Sequence, residues 1–270
     1  MPRTEADYFG FVPTNRYELL PRLLSARTLA EHLHASDCKF SFSNILLHLH
    51  LRMHSYTEEN YLKALFNLAN EKGEVSANEL SKALDIKMPT VNSMMKRLAE
   101  KKLVHYESYK PLRLTEKGKR EAGLIIRKHR LTEMFLVQVM EFGWEEVHEV
   151  AEQMEHLHAP HFFEKMDKML GYPTIDPHGS PIPDKTGKIS WKQYEKLSDC
   201  QIGDTVKLSA VINGTDEFFK FLSSRELILG VRIRIKSIEA FDGSMQVAYG
   251  KRTAETLSNT VTDRLLVEKA

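Results

Sequence analysis

Cysteine is scarce: the 270 residues hold two, Cys38 and Cys200. They form no CxxC pair and no disulfide framework, which favours a reducing, cytoplasmic setting. No apolar run reaches the roughly 18 residues of a membrane span, so no membrane partner is expected. Charge of one sign is missing too. The formal net charge is +1, so the overall balance does not announce a nucleic-acid binder. Internal repeats and low-complexity tracts are absent. At this length the chain has room for two domains or three small ones, each with its own core.

What is present is unevenly spread. Residues 87–120 carry ten Lys/Arg against three Asp/Glu, and residues 141–170 carry eight Asp/Glu against two Lys. A cationic segment followed by an anionic one rich in histidine points to two jobs in one chain. Residues 1–52 show no sustained period and lack the order of a signal peptide. They read as a poorly ordered extension, or as sequence upstream of a later start at Met53, with His32/His34 and His48/His50 as weak metal candidates.

From Thr57 the chain reads as helix. Thr57 is a possible cap, Glu58 and Glu59 suit the positive end, and Tyr61, Leu62, Leu65 and Phe66 make an apolar face. Ser76-x-x-Glu79 is a capping-box pattern. After Asp85-Ile86-Lys87, Pro89 fits the first turn of a second, cationic helix through Val91, Met95 and Leu98. Strand-like runs 103–107 and 112–114 then flank Ser108-Tyr109-Lys110-Pro111 as a short wing. Helix, turn, helix, hairpin, with the positive charge confined to them, is a winged helix-turn-helix pattern for double-stranded DNA. Lys87, Pro89, Thr90, Asn92 and Ser93 stand at the leading end of the second helix, to reach base edges. Lys96, Arg97 and Lys110 suit phosphates.

A long helix is expected over roughly 115–141, a second from about Trp144 to His158 and a third from Pro160 to Gly171. In the second, His148, Glu152, Glu155 and His156 recur at i, i+4, i+7 and i+8, one stripe of a helix. Two imidazoles and two carboxylates on one stripe are costly to bury without compensation, and a divalent cation is the simplest compensator. His129 and Glu133, another i, i+4 pair, are the upstream partners. A solvated acidic face is the ordinary alternative for any one of these residues. Their joint occurrence argues against it. His158 and His161 read as surface residues. Two rival readings remain: a His/Glu metalloenzyme, and a metal-independent regulator with a vestigial site. Glycine and proline punctuate residues 171–187, after which strand-like pieces at 205–210, 230–238, 245–249 and 265–267, with a short helix near Phe218–Leu222, read as a small β-barrel.

These residues together resemble the iron- and manganese-dependent repressors typified by the diphtheria toxin repressor and the manganese transport regulator. The resemblance rests on Glu59-Asn60-Tyr61-Leu62, Met88-Pro89-Thr90-Val91, Leu114 through Gly118, Arg127 through Glu133, His148 through His156, and Pro177 through Pro183. It covers roughly residues 55–270. It implies a mainly α chain with a small β domain. Residues 1–54 would be an extension, 55–120 a winged helix-turn-helix domain, 121–171 a helical dimerisation and metal-binding domain, 172–194 a linker, and 195–270 an SH3-like, FeoA-like barrel. It also implies a homodimer, operator DNA as partner, and Mn(II) or Fe(II) as cofactor. One implied ion site uses His129, Glu133 and His148. The other uses Glu152, Glu155 and His156, with Asn60 from the first helix. Glu152 stands where the iron branch has cysteine and the manganese branch glutamate, which favours Mn(II). Lys63 stands where the manganese branch has a carboxylate. Thr215 and Phe218 stand where the iron branch draws ligands from its last domain, with Asp216 or Glu217 as possible substitutes.

Overall fold

The computed structural model describes residues 54–212 and 214–270. The extension with its paired histidines and Cys38 lies outside the described residues.

Helix α1 spans Tyr56–Leu68, capped two residues earlier than the Thr57 expectation. Ser55 is the cap: its hydroxyl accepts from the Glu58 amide at 3.3 Å, and the Glu58 carboxylate accepts from the Ser55 amide at 3.0 Å. This reciprocal pair satisfies two otherwise bare helix donors. Ser76 and Glu79 repeat it at the start of α2, Ala77–Ala83, as expected. Asp85, at φ 50°, turns the chain into α3, Met88–Glu100, with Pro89 in its first turn. Val91, Met95 and Leu98 fall on one face of α3 and bury against Tyr61, Leu62, Leu65 and Leu80. Strands β1 (Val104–His105) and β2 (Arg113–Leu114) pair antiparallel and make the wing, with Tyr109 exposed at its tip.

Helix α4, Glu116–Met140, starts at the base of the wing. Thr115 caps it, accepting from the Gly118 amide at 3.0 Å. Gly118 lies so close to β1 that a Cβ there would sit 2.0 Å from the Leu103 carbonyl oxygen, so the crossing requires glycine. The next helix is shorter than the period suggested. α5 covers only His148–Met154, with Glu155 closing it. At its front, Gly143 donates to the Glu146 carboxylate and residues 141–147 stay outside helix. At its back, the residue before Pro160 is barred from helical geometry, and α6 restarts at Pro160–Met169. His156 therefore lies beyond the helix, and the four-residue stripe is not one helical face. Leu131, Met134, Phe163, Met166 and Ile182 form a small core between α4 and α6.

The Gly/Pro-rich segment read as a linker is fastened along α4. Arg127 donates to the Pro183 carbonyl at 2.6 Å and Arg130 donates to that of Pro181. Gly123 of α4 faces Gly187 backbone to backbone.

The last domain is a six-stranded antiparallel sheet in the order β3-β8-β4-β5-β6-β7. Its strands are β3 Glu195–Lys196, β4 Thr205–Val211, β5 Arg232–Ile238, β6 Met245–Tyr249, β7 Arg252–Leu257 and β8 Leu265–Lys269. β3 and β7 were not expected: β3 has two residues, and β7 is a mostly polar edge strand with little alternation to read. Helix α7, Asp216–Ser224, and the short α8, Asn259–Thr262, complete the domain. Its core gathers Leu208, Leu222, Ile233, Ile235, Val247 and Leu265.

Candidate metal centre and nucleic-acid interface

α4 carries His129 and Glu133 one turn apart, both buried. The His129 Nε2 lies 3.1 Å from Glu133 Oε1, and His148 at the start of α5 brings Nδ1 to 3.5 Å from the same oxygen. The three side chains offer donor atoms all within 4.8 Å of one another. Burial raises the cost of ionising Glu133, but the imidazoles of His129, His148 and His178 outweigh it and hold the carboxyl well below its ordinary range. Burial likewise opposes charge on His129, and the Glu133 and Glu155 carboxylates overcome it, so the ring is held above its ordinary value. One carboxylate within reach of two imidazole nitrogens is the kind of oxygen and nitrogen donor set that divalent ions take. This group fits a divalent ion.

His178 belongs beside it and was not singled out from the sequence. Its Nε2 donates to the Trp144 carbonyl at 2.8 Å, which leaves Nδ1 toward Glu133 Oε2 at 3.7 Å. A ring whose far nitrogen is tied to a backbone carbonyl is oriented as metal-binding histidines are. Asp176 completes a third possible group with Glu133 and His178. Its carboxylate accepts from the amides of His178 and Ser180 at 2.9 and 2.8 Å and faces Arg130 at 3.3 Å. Burial and then the charge of Glu133 push the Asp176 carboxyl up. The signal available beforehand was the loop Pro177 through Pro183, whose histidine had no role attached.

The second expected site is assembled differently. Glu155 and His156 are both well buried, and Glu155 Oε1 and His156 Nε2 have no hydrogen-bond partner although they lie 3.5 Å apart. Glu59 of α1 holds the other ring nitrogen of His156 at 2.6 Å. Two bare buried acceptors facing one another, with the imidazole fixed by a carboxylate behind it, fit an ion. Asn60 makes no side-chain hydrogen bond among the described residues, and the polar contacts from α1 come from Glu59 and Lys63. Glu152 does not face this pair. Its Oε1 is taken by the Lys63 ammonium at 2.6 Å, and Glu155 Oε2 by the same ammonium at 2.8 Å. Burial opposes ionisation of Glu152, and Lys63 overcomes it, holding the carboxyl below its ordinary value. The cluster of His129, Glu152 and Glu155 therefore does not fit an ion while Lys63 stands in it. His158 and His161 are exposed, as expected. Asp216 and Glu217 line the cleft that opens onto His129, Glu133 and His148, as do Thr215 and Lys63.

On α3, Lys87, Pro89, Thr90, Ser93 and Lys96 are all exposed, and Asn92 is half-buried. They lie across from the buried Val91, Met95 and Leu98, so the outer face of α3 is polar and open. Arg97 is 57% exposed, and its Nε lies 2.9 Å from Glu58 Oε1, so it also braces α3 against α1. Lys110, on the wing, pairs with Glu107 at 2.8 Å, and both are exposed.

Comparison with known proteins places three consecutive matches on the chain. Residues 53–112 match the iron dependent repressor N-terminal DNA binding domain. Residues 115–184 match the iron dependent repressor metal binding and dimerisation domain. Residues 195–269 match the FeoA domain. The iron-dependent repressor IdeR of Mycobacterium bovis is 36% identical over 127 residues, which are 47% of this chain and 55% of that protein. The chain thus spans about half the length of that relative. The diphtheria toxin repressor of Corynebacterium efficiens is 26% identical over 189 residues, 66% of this chain and 82% of that protein. Among solved structures, a manganese-dependent transcriptional repressor in complex with manganese superposes with a TM-score of 0.71 at 29% identity, covering 78% of this chain and 99% of that one.

Proposed function

The chain belongs to the family of iron- and manganese-dependent repressors, and from that premise we propose that it is a metal-activated DNA-binding transcriptional regulator. It acts as a homodimer in the cytoplasm, on operator DNA, and represses metal-uptake genes. Mn(II) is the preferred ion, on the likeness to a manganese-dependent repressor and not on Glu152, and Fe(II) is the alternative.

One observation carries this reading. Donor groups from the winged-helix domain and from the helical domain converge: Glu59 of α1 reaches His156, which faces Glu155, and Glu155 reaches His129 of α4 at 2.6 Å. A bound divalent cation supplies the positive charge that these carboxylates and imidazoles lack. Glu133, His129 and His148 would hold one ion, and Glu155 with His156 another. The chain's own part is to fix those side chains on α4 and at the end of α5 while α3 presents its polar face outward. A regulator of this kind responds only if the ion binds the DNA-competent arrangement more tightly than others. The donors are nitrogen and oxygen, without thiolate or thioether, which suits Mn(II) and Fe(II).

Exposed apolar side chains on the helical domain support self-association. Val139, Met140, Phe142, Leu157, Phe162 and Met169 are each at least 36% exposed, and a second copy would cover them. No described helix is long and apolar enough to cross a membrane.

The test is fluorescence anisotropy of the purified protein on its own upstream DNA at one fixed salt concentration. Affinity should rise on adding Mn(II), and with Fe(II) under anaerobic conditions only at higher concentration. Equal affinity in chelator and in Mn(II) would leave a metal-independent regulator. Ion binding without DNA binding under any condition would point instead to the metalloenzyme reading.

A further inference from the structure

Lys63 stands one helical turn after Glu59 on α1, on the side facing the helical domain. Its ammonium lies 2.6 Å from Glu152 Oε1, 2.8 Å from Glu155 Oε2 and 3.4 Å from His129 Nδ1. The Lys63 side chain is 13% exposed and that of Glu155 is fully buried. His129, Glu152 and Glu155 are also one of the three groups whose donor atoms are close enough to share an ion. The ammonium thus sits among the very lone pairs a cation there would use. A second cation at this spacing would compete for the same oxygens and be repelled by the first. All three ammonium contacts lie within hydrogen-bond distance, which offsets part of the cost of burying the charges.

We propose that the Lys63 ammonium is the resident cation of this cluster, taking the place of an ion and bridging α1 to α4 and α5 whatever the metal supply. Unlike a free ion, it is covalently tethered, so neither dilution nor a chelator removes it. The protein then takes ions only at His129–Glu133–His148 and at Glu155–His156. Its winged-helix domain is partly positioned before any metal arrives, and metal raises DNA affinity from a floor instead of from nothing. This rests on reading the junction of α1 with α4 and α5 as the regulatory one.

The experiment strips the full-length protein with chelator and titrates Mn(II), counting bound ions per subunit from the free-ion signal in electron paramagnetic resonance. It compares the parent with Lys63→Glu, which offers a ligand in place of the charge, and with Lys63→Arg, which keeps the charge. Lys63→Glu should bind one more Mn(II) per subunit than the parent, and Lys63→Arg the same number. In chelator, Lys63→Glu should bind the upstream DNA at least about ten-fold more weakly than the parent and unfold at a lower temperature. Equal ion counts in the parent and Lys63→Glu would overturn the proposal, and so would an extra ion in Lys63→Arg. The ion count and the melting temperature need no DNA. A parent that never bound DNA would defeat the functional reading and leave Lys63 to be judged on those two readouts.

Discussion

Arg97 of α3 and Glu58 of α1 meet at 2.9 Å, and the buried Glu58 also receives Lys101 at 2.8 Å. The helix proposed to face DNA is therefore braced at its far end by a residue that its position alone offered as a phosphate contact. Lys96→Ala and Arg97→Ala should consequently part company. Lys96→Ala should weaken binding to all sequences and lower the slope of log affinity against log salt by about 0.9, with unchanged stability. Arg97→Ala should also lower the unfolding free energy, by about 1 kcal/mol given its partial exposure. Denaturant melts beside salt titrations distinguish them, and an Arg97→Ala protein as stable as the parent would remove the brace.

The same carboxylate gives the winged-helix domain an acid sensitivity. Burial pushes the Glu58 carboxyl up, but Lys101, the Ser55 amide and Arg97 outweigh it and hold it below its ordinary value of 4.5. A carboxyl lowered in the folded state contributes stability that is present above its unfolded value and is lost as pH falls through the folded one. Glu58→Gln should cost about 2 kcal/mol at pH 7, where a hydrogen-bonded ion pair is replaced by an amide. The gap between variant and parent should narrow steadily below about pH 4.5. Chemical denaturation at a series of pH values reads both; a gap that stayed constant down to pH 3 would refute the linkage.

Glu59 makes no direct claim on an ion, yet it fixes the ring of His156. Removing a carboxylate behind a metal-binding imidazole lowers affinity by about 10–100-fold in known sites. Glu59→Gln should produce a loss of that size in Mn(II) affinity at one of the two sites, seen by calorimetric titration, while His129→Ala should affect the other as well. A Glu59→Gln protein with unaltered Mn(II) binding would place the Glu155–His156 pair outside the ion sites.

Gly123 and Gly187 touch backbone to backbone, and a Cβ on Gly123 would lie 2.0 Å from the Gly187 carbonyl oxygen. Gly123→Ala should cost about 1–3 kcal/mol as a tight contact is forced apart. It should also lift residues 172–194 from α4, which proteolysis within that segment would report by faster cutting than in the parent. Unchanged cutting and stability would show the segment to be held from elsewhere.

Some of this was legible in the residues and some was not. The winged helix could be read because its signals are local: Ser76 with Glu79, Pro89 in a first turn, and apolar residues at helical spacing. The cap at Ser55 was missed because Thr57 carries the same chemistry two positions on, and only the partnership with Glu58 decides between them. The spacing at i, i+4 and the family resemblance group His129, Glu133 and His148, and the fold brings these three side chains together. Periodicity overran at His156: a helix ending shows in the sequence only through breakers, and Pro160 lies four residues later. His178 and Lys63 act through contacts spanning tens of residues, Lys63 to Glu155 being 92 positions apart, and no local period encodes such a meeting.

Helix α4 runs unbroken for 25 residues, from the wing at Glu116 through His129 and Glu133 to the exposed Val139 and Met140. At 1.5 Å per residue this is a rod about 37 Å long, with the proposed ion-binding side chains near its middle. A tilt of about 5° about that grip would carry each end roughly 1.6 Å, in opposite directions. The wing and the apolar surface offered to a second copy would thus move as the two arms of one lever. In the proposed dimer, whatever clamps the pivot would set the reach between the paired α3 helices, and DNA binding would clamp the pivot in return.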